Sequence, residues 1–174
     1  MKIKLFIIGL FLIGLGMTTN AQSVTSSAAN ATATILVPIT ISKQSDLSFG
    51  NIAPSSSSVG TVELSPAASP TRTPVGATLP ATTGTISAAS FKVDGVAGYT
   101  FGLQLPGTIT LLSGTDQMTI DSWKTSFAVG SQLIGTLTGG TNTFYVGGTL
   151  HMIANQPSGN YSNSTDLKIT VNYN

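Results

Sequence analysis

The run DLKITVNYN sets Leu167, Ile169, Val171 and Tyr173 against Asp166, Lys168, Thr170 and Asn172. Such alternation places every apolar side chain on one face of a strand and every polar one on the other. It specifies half-buried β structure and is incompatible with a helical period. A strand of this kind must pair, because unpaired N–H and C=O groups are a template for another chain. A longer alternation lies near the other end, where Ala29, Ala31, Ala33, Ile35, Val37, Ile39 and Ile41 oppose Asn30, Thr32, Thr34, Leu36, Pro38 and Thr40. Pro38 cannot donate a ladder bond, so it marks an edge, a bulge or a break into two strands.

Between these runs the chain repeats one plan of short alternating segments separated by Gly, Pro, Asn and Ser. TVELSP offers Val62 and Leu64, and the proline-rich stretch after it has one extended piece around Thr73–Leu79. ISAASFKVDG gives a strand through Phe91 and Val93 closed by Asp94-Gly95, a pair favoured in tight hairpins. YTFGLQLPG puts Tyr99, Phe101, Leu103 and Leu105 on one face, and TITLLSGTDQMTIDSW reads as two strands joined around Ser113–Asp116. Turn glycines at 139 and 140 precede another long apolar segment. The expected fold is all-β, an antiparallel β-sandwich or barrel.

The first residues read differently. MKIK precedes the apolar run Leu5–Met17, and TTNA ends at Ala21 before Gln22, the order of a secretory signal peptide. That run is shorter than the roughly 20 residues a bilayer requires. The expected organisation is therefore a signal peptide over 1–21 cut between Ala21 and Gln22, a flexible extension over 22–30 and a sandwich domain over 31–174. No transmembrane anchor is expected after cleavage. Loss of Lys2 and Lys4 leaves five basic residues against six acidic ones, so the working chain is close to neutral. A surface so poor in charge has no electrostatic footprint for nucleic acid, and it gives little protection against self-association. With no cysteine in the chain, packing and sheet hydrogen bonds must hold the fold without disulfides.

ATATILVPITISKQSDLSFGNIAP, GTVELSP, SAASFKVDGVAGYTFGLQLP, FYVGGTLHMIANQPSGNYS and ITVNYN together resemble, in order, a secreted bacterial family known as domain-of-unknown-function family 4402. The resemblance runs from about Ala31 to Asn174. It implies an immunoglobulin-like β-sandwich exported by Gram-negative bacteria, distantly similar to spore-coat-U and usher-type pilin domains, and it implies no established activity. GNYSNST departs from the family's Gly-x-Tyr-Gly pattern and suggests a longer final turn. Pilins of that type end in a strand with a penultimate tyrosine and receive their missing neighbour from the next subunit. Tyr173 matches that position, while Gly159 fits the pilin glycine only in part. Two arrangements stay open. Residues 22–33 could donate a strand to another copy, although Val24 and a series of alanines offer little volume to bury. Alternatively, the 29–41 run lies beside the C-terminal strand in its own chain, and this is the favoured expectation. The residues at stake in strand exchange or terminal pairing are Ile35, Val37, Leu167, Ile169, Val171 and Tyr173.

Catalytic chemistry is hard to assemble from this inventory, and the expectation is a non-enzyme with no cofactor and no metal site. His151, the single histidine, has the parity of a surface position. Asp116 and Asp121 could pair for glycoside hydrolysis, but turn-forming aspartates are the commoner case. Trp123 could stack on a sugar ring if exposed, and its ordinary role would be a core or edge plug. Asn30-Ala-Thr, Asn160-Tyr-Ser and Asn163-Ser-Thr fit the glycosylation pattern, which a chain this rich in Asn, Ser and Thr produces by composition. The function expected is an exported structural or interaction module in the periplasm, at the cell surface or outside the cell, with a pilin-like fibre or matrix subunit as one form. Its partners would be copies of itself, other surface proteins or glycans. The alternative is a monomeric carbohydrate-binding or adhesive module.

Overall fold

A computed structural model describes residues 25–127 and 133–174. The signal-peptide region, with Ala21 and Gln22, lies outside them. The strands are β1 (Thr40–Ser45), β2 (Ala53–Pro54), β3 (Gly60–Leu64), β4 (Arg72–Val75), β5 (Ala77–Thr78), β6 (Ala89–Asp94), β7 (Thr100–Gln104), β8 (Ile109–Ser113), β9 (Asp116–Thr125), β10 (Ile134–Thr136), β11 (Thr141–Met152) and β12 (Thr170–Tyr173). All pairings are antiparallel and no helix occurs among the described residues, so the all-β expectation holds.

β11 organises the larger, seven-stranded sheet. Val146 pairs with Ala89 of β6 and with Thr125 of β9, which places those strands on opposite edges of β11. Thr149, Leu150 and His151 pair in the same way with both β3 and β9. Along one edge, then, β6 gives way to β3, and the change falls at Gly147-Gly148. A Cβ on Gly147 would stand 2.0 Å from the Leu64 carbonyl oxygen, so only glycine allows the backbones to approach this closely. β1 extends the sheet beyond β6, β4 extends it beyond β3, and β8 extends it beyond β9. The β8–β9 hairpin turns at Gly114, whose φ is +63°, where the sequence places a turn.

A three-stranded sheet, β10-β7-β12, faces part of the larger one. Phe101 of β7 and Val171 of β12 share a core cluster with Phe91 and Val93 of β6 and Phe144 and Val146 of β11. Phe127 spans the layers, edge-on to Phe101 and to Phe144, and Phe144 stacks on Phe91 at 5.7 Å. Edge-to-face pairs of this kind add about 0.5–1.5 kcal/mol each beyond area burial. A second cluster, including Val62, Leu64, Ile109, Ile120, Leu150 and Met152, receives no residue from the three-stranded sheet. Connecting segments around Phe49, Ile52, Leu79 and Ile86 cover it instead. Trp123, Leu47 and Leu167 touch both clusters.

Two expectations change. Asp94-Gly95 does not close a hairpin, because β6 pairs with β1 and β11 while β7 pairs with β10 and β12. The connection instead carries the chain from one sheet to the other. The 29–41 alternation becomes a strand only from Thr40, and residues 35–39 form no ladder beside β12. Pro38 withholds a donor just ahead of β1, and small alanine side chains bury too little area to bring the run onto a sheet. Residues 25–34 contain no strand and are exposed throughout.

Candidate interaction edge and cleft

In the two larger sheets five strands have only one ladder partner, β1, β4, β8, β10 and β12, while β2 and β5, two residues each, pair only with one another. Four are blunted, each by a different device. β4 carries Pro74. On β8, Leu112 exchanges two backbone bonds with Ser162, both 3.0 Å, and Asn163 Nδ2 donates to the Thr110 carbonyl. β10 has three residues, and its Thr136 carbonyl accepts from Asn142 Nδ2. β1 has a register shift between Lys43 and Ser45, and Lys43 pairs with Asp46.

β12 has no such protection. Its residues, Thr-Val-Asn-Tyr, include neither proline nor charge. Asn174 N–H donates to the Thr100 carbonyl of the neighbouring strand, so Asn172 and Thr170 also turn their backbone groups toward β7. By the period of two, Val171 and Tyr173 present theirs to the other side. Among the described residues no backbone group there completes a ladder. The expected alternation holds, with Val171 buried, Leu167, Ile169 and Tyr173 half-buried, and the intervening residues exposed.

Tyr173 marks one end of this edge. Its hydroxyl accepts the Val96 N–H at 2.8 Å and donates to the Val37 carbonyl at 2.9 Å, while its ring meets Tyr99 edge-on. A Cβ on Gly95 would stand 2.4 Å from that hydroxyl, which explains the glycine. Close to this contact Ile35 is 96% exposed and Val37 66%, while Leu36 between them is half-buried.

At the other end, Leu167 enters β12 from a fixed turn. Asn163 Oδ1 accepts the N–H groups of Thr165 and Asp166, and its Nδ2 also donates to Asp166. Those contacts, the Asn163 amide first and the Thr165 hydroxyl second, hold the Asp166 carboxyl below its ordinary pKa. Beside this turn lies a cleft of about 1180 Å3. Its floor is the inner face of the larger sheet that the three-stranded sheet leaves uncovered, including Ile109, Met118, Ile120, Leu150 and Met152. Ile120, Leu150 and Met152 are only 2–5% exposed. Leu167 and residues 156–164 form its rim, and no residue of β7 or β10 lines it.

The remaining candidates lie elsewhere. His151 Nε2 is 2.7 Å from Asp121 Oδ1 on the outer face of the sheet, where Ser122 Oγ also donates to Asp121. The His151 contact, then Ser122, holds the Asp121 carboxyl below its ordinary value. Ser122 does not bond His151, so the three do not form the nucleophile–base–acid relay of hydrolases. Trp123 faces inward between the two core clusters, with its indole N–H donating to the Gly107 carbonyl. No group of three or more His, Cys, Asp or Glu side chains is placed to hold a metal among the described residues. The alternation places Tyr173 on the apolar face; its hydroxyl contacts, and the role of Asn163, carry no local sequence signal.

Residues 39–173 match the family described as domain of unknown function DUF4402. No curated protein and no solved structure matches the chain.

Proposed function

The chain belongs to the DUF4402 family, and since membership brings no activity with it, we propose from the geometry an exported, non-enzymatic interaction module that joins other chains through β12. One observation carries this reading: β12 runs for four residues without proline, charge or register shift, and no backbone hydrogen bond among the described residues straps its free side. Strand addition suits such an edge, because ladder bonds supply affinity and alternate side chains supply specificity. The leader-like first 21 residues support export, and the near-neutral composition supports association at a bacterial surface, as a fibre or matrix subunit. A glycan-stacking role for Trp123 receives no support from an inward-facing ring whose N–H is already bonded.

Light scattering on the exported chain across a hundredfold concentration range, with Asn172→Lys as control, tests this. The lysine puts a charge at an exposed position of the edge strand, so association should fall while the monomer's far-ultraviolet circular dichroism is retained. A wild-type chain that remains monomeric throughout and captures no surface component would sink the reading.

A further inference from the structure

We infer that the outer face of the seven-stranded sheet, at the end where β11 finishes, is a contact between two copies of this chain related by a twofold axis along β11. This face is separate from the β12 edge and does not depend on it. Among the described residues eight large hydrophobic side chains stand exposed, and four of them, Val59, Val75, Leu112 and Ile153, gather here at 51–73% exposure. None of the four belongs to either core cluster. Hydrophobic side chains scattered singly over a surface are ordinary, whereas a contiguous patch marks a contact.

Register brings the four together. Leu112 pairs with Gln117, His151 pairs with both Thr119 and Thr61, and Thr61 pairs with Val75. Ile153 and Val59 come one step beyond the Met152–Gly60 pair, and by the period of two they share the face of His151 and Thr61. Leu112, Ile153 and Val59 therefore form a row across the sheet, with Val75 one row behind on β4. The row straddles β11: β9 and then β8 lie on one side of it, β3 and then β4 on the other.

That symmetry makes a second copy the occupant. A twofold axis along β11 lays the Leu112 flank of one copy on the Val59 and Val75 flank of the other and sets Ile153 against Ile153, a self-complementary contact. Charge follows the same rule. Lys124 of β9 and Glu63 of β3 start from opposite flanks of β11 and meet at 2.6 Å. The axis exchanges the flanks, so each lysine comes to the side of the other copy's glutamate. Asp121 is already held by His151 and Ser122. One lysine against two carboxylates gives no cationic bias toward an anionic lipid surface. Five strands about 4.8 Å apart and five residues of β11 and its end make a flat area of roughly 24 by 17 Å, about 400 Å2 per copy. Such an area belongs to weak, reversible contacts rather than obligate ones. β12 lies in the other sheet and stays free in both copies.

The absence of cysteine from the chain makes a site-specific test direct. Ile153→Cys, treated with a bis-maleimide spanning about 10 Å, the spacing of packed sheets, should be captured as a dimer. Leu112→Cys and Val75→Cys should each link poorly alone, since β8 and β4 are four strand spacings or roughly 19 Å apart, and should link efficiently when mixed. No gain on mixing overturns the inference. In parallel, sedimentation velocity should show the dimer weakened tenfold or more by Val75→Lys, whereas Asn172→Lys on β12 should remove larger assemblies and leave the dimer. If Asn172→Lys abolishes the dimer and Val75→Lys does not touch it, association belongs to β12 and the outer-face contact fails. A wild type that stays monomeric at millimolar concentration also overturns it; co-sedimentation with phosphatidylethanolamine–phosphatidylglycerol vesicles, lost in Val75→Lys, would then assign the patch to lipid.

Discussion

Removing one oxygen, by Tyr173→Phe, tests how the free edge is terminated. The hydroxyl makes two hydrogen bonds, to the Val96 N–H and to the Val37 carbonyl. A net contribution of about 0.5–1.5 kcal/mol is typical for each, and an unsatisfied buried donor costs about 1–3 kcal/mol. Val37 is exposed and water can replace its bond, whereas the Val96 bond is part-buried, so the Val96 side dominates. The ring's contacts with Tyr99 and the core remain. The expected loss is about 1–2 kcal/mol, which for a chain of this length lowers Tm by roughly 2–8 °C. Two assays separate stability from local release. Urea unfolding reports the total, and hydrogen exchange of the Val96 amide reports the bond itself. Protection at Val96 should fall, and residues 36–39 should become more accessible to a nonspecific protease. An unchanged urea midpoint together with unchanged Val96 protection would refute the reasoning, because it would mean that the hydroxyl holds neither the inter-sheet connection nor the N-terminal run.

Three further outcomes are expected. Gly147→Ala would drive a Cβ to 2.0 Å from the Leu64 carbonyl oxygen with backbone on both sides; a loss of about 3 kcal/mol or more and mostly insoluble protein should follow, read by soluble yield and thermal melting. Asp121 has a depressed folded-state pKa, so its contribution is present above the unfolded value, about 3.9, and is lost as pH falls through the folded value. Asp121→Asn should therefore be less stable than wild type at pH 6 and should converge with it as the pH falls below the folded-state value, in urea titrations at each pH. Trp123 is the only tryptophan and is half-buried; its emission should be blue-shifted in the folded chain, shift to the red on unfolding and remain unmoved by a panel of glycans.

Strands whose alternation carries bulky residues were legible in the sequence. Val62 and Leu64, Phe91 and Val93, and Phe101 reach the core as their spacing requires, and the β8–β9 hairpin turns where a glycine permits it. Legibility failed where the outcome depends on distant chain. Asp94-Gly95 is a sound local turn signal, but no local signal says that the next strand joins the other sheet. The 29–37 alternation has the right period and no partner, since period specifies faces and pairing requires a neighbour. Gly147 reads as a turn or bulge glycine, and the carbonyl it accommodates belongs to Leu64. The Tyr173–Val37 bond spans 136 positions. The cleft follows from a mismatch in strand number between two layers, a property of topology rather than of any segment.

The uneven protection of the edges is itself informative. Proline on β4, the Ser162 strap on β8, brevity on β10 and a charged, irregular β1 oppose promiscuous pairing by four unrelated means. A chain near neutrality gains little long-range repulsion to keep copies apart, so an unprotected edge is costly unless pairing there is used. β12 is also the edge with a tyrosine closing one end and an Asn163-braced turn fixing the other. Its length and register are thus bounded before any partner arrives. On the proposed reading those bounds select for a short alternating segment.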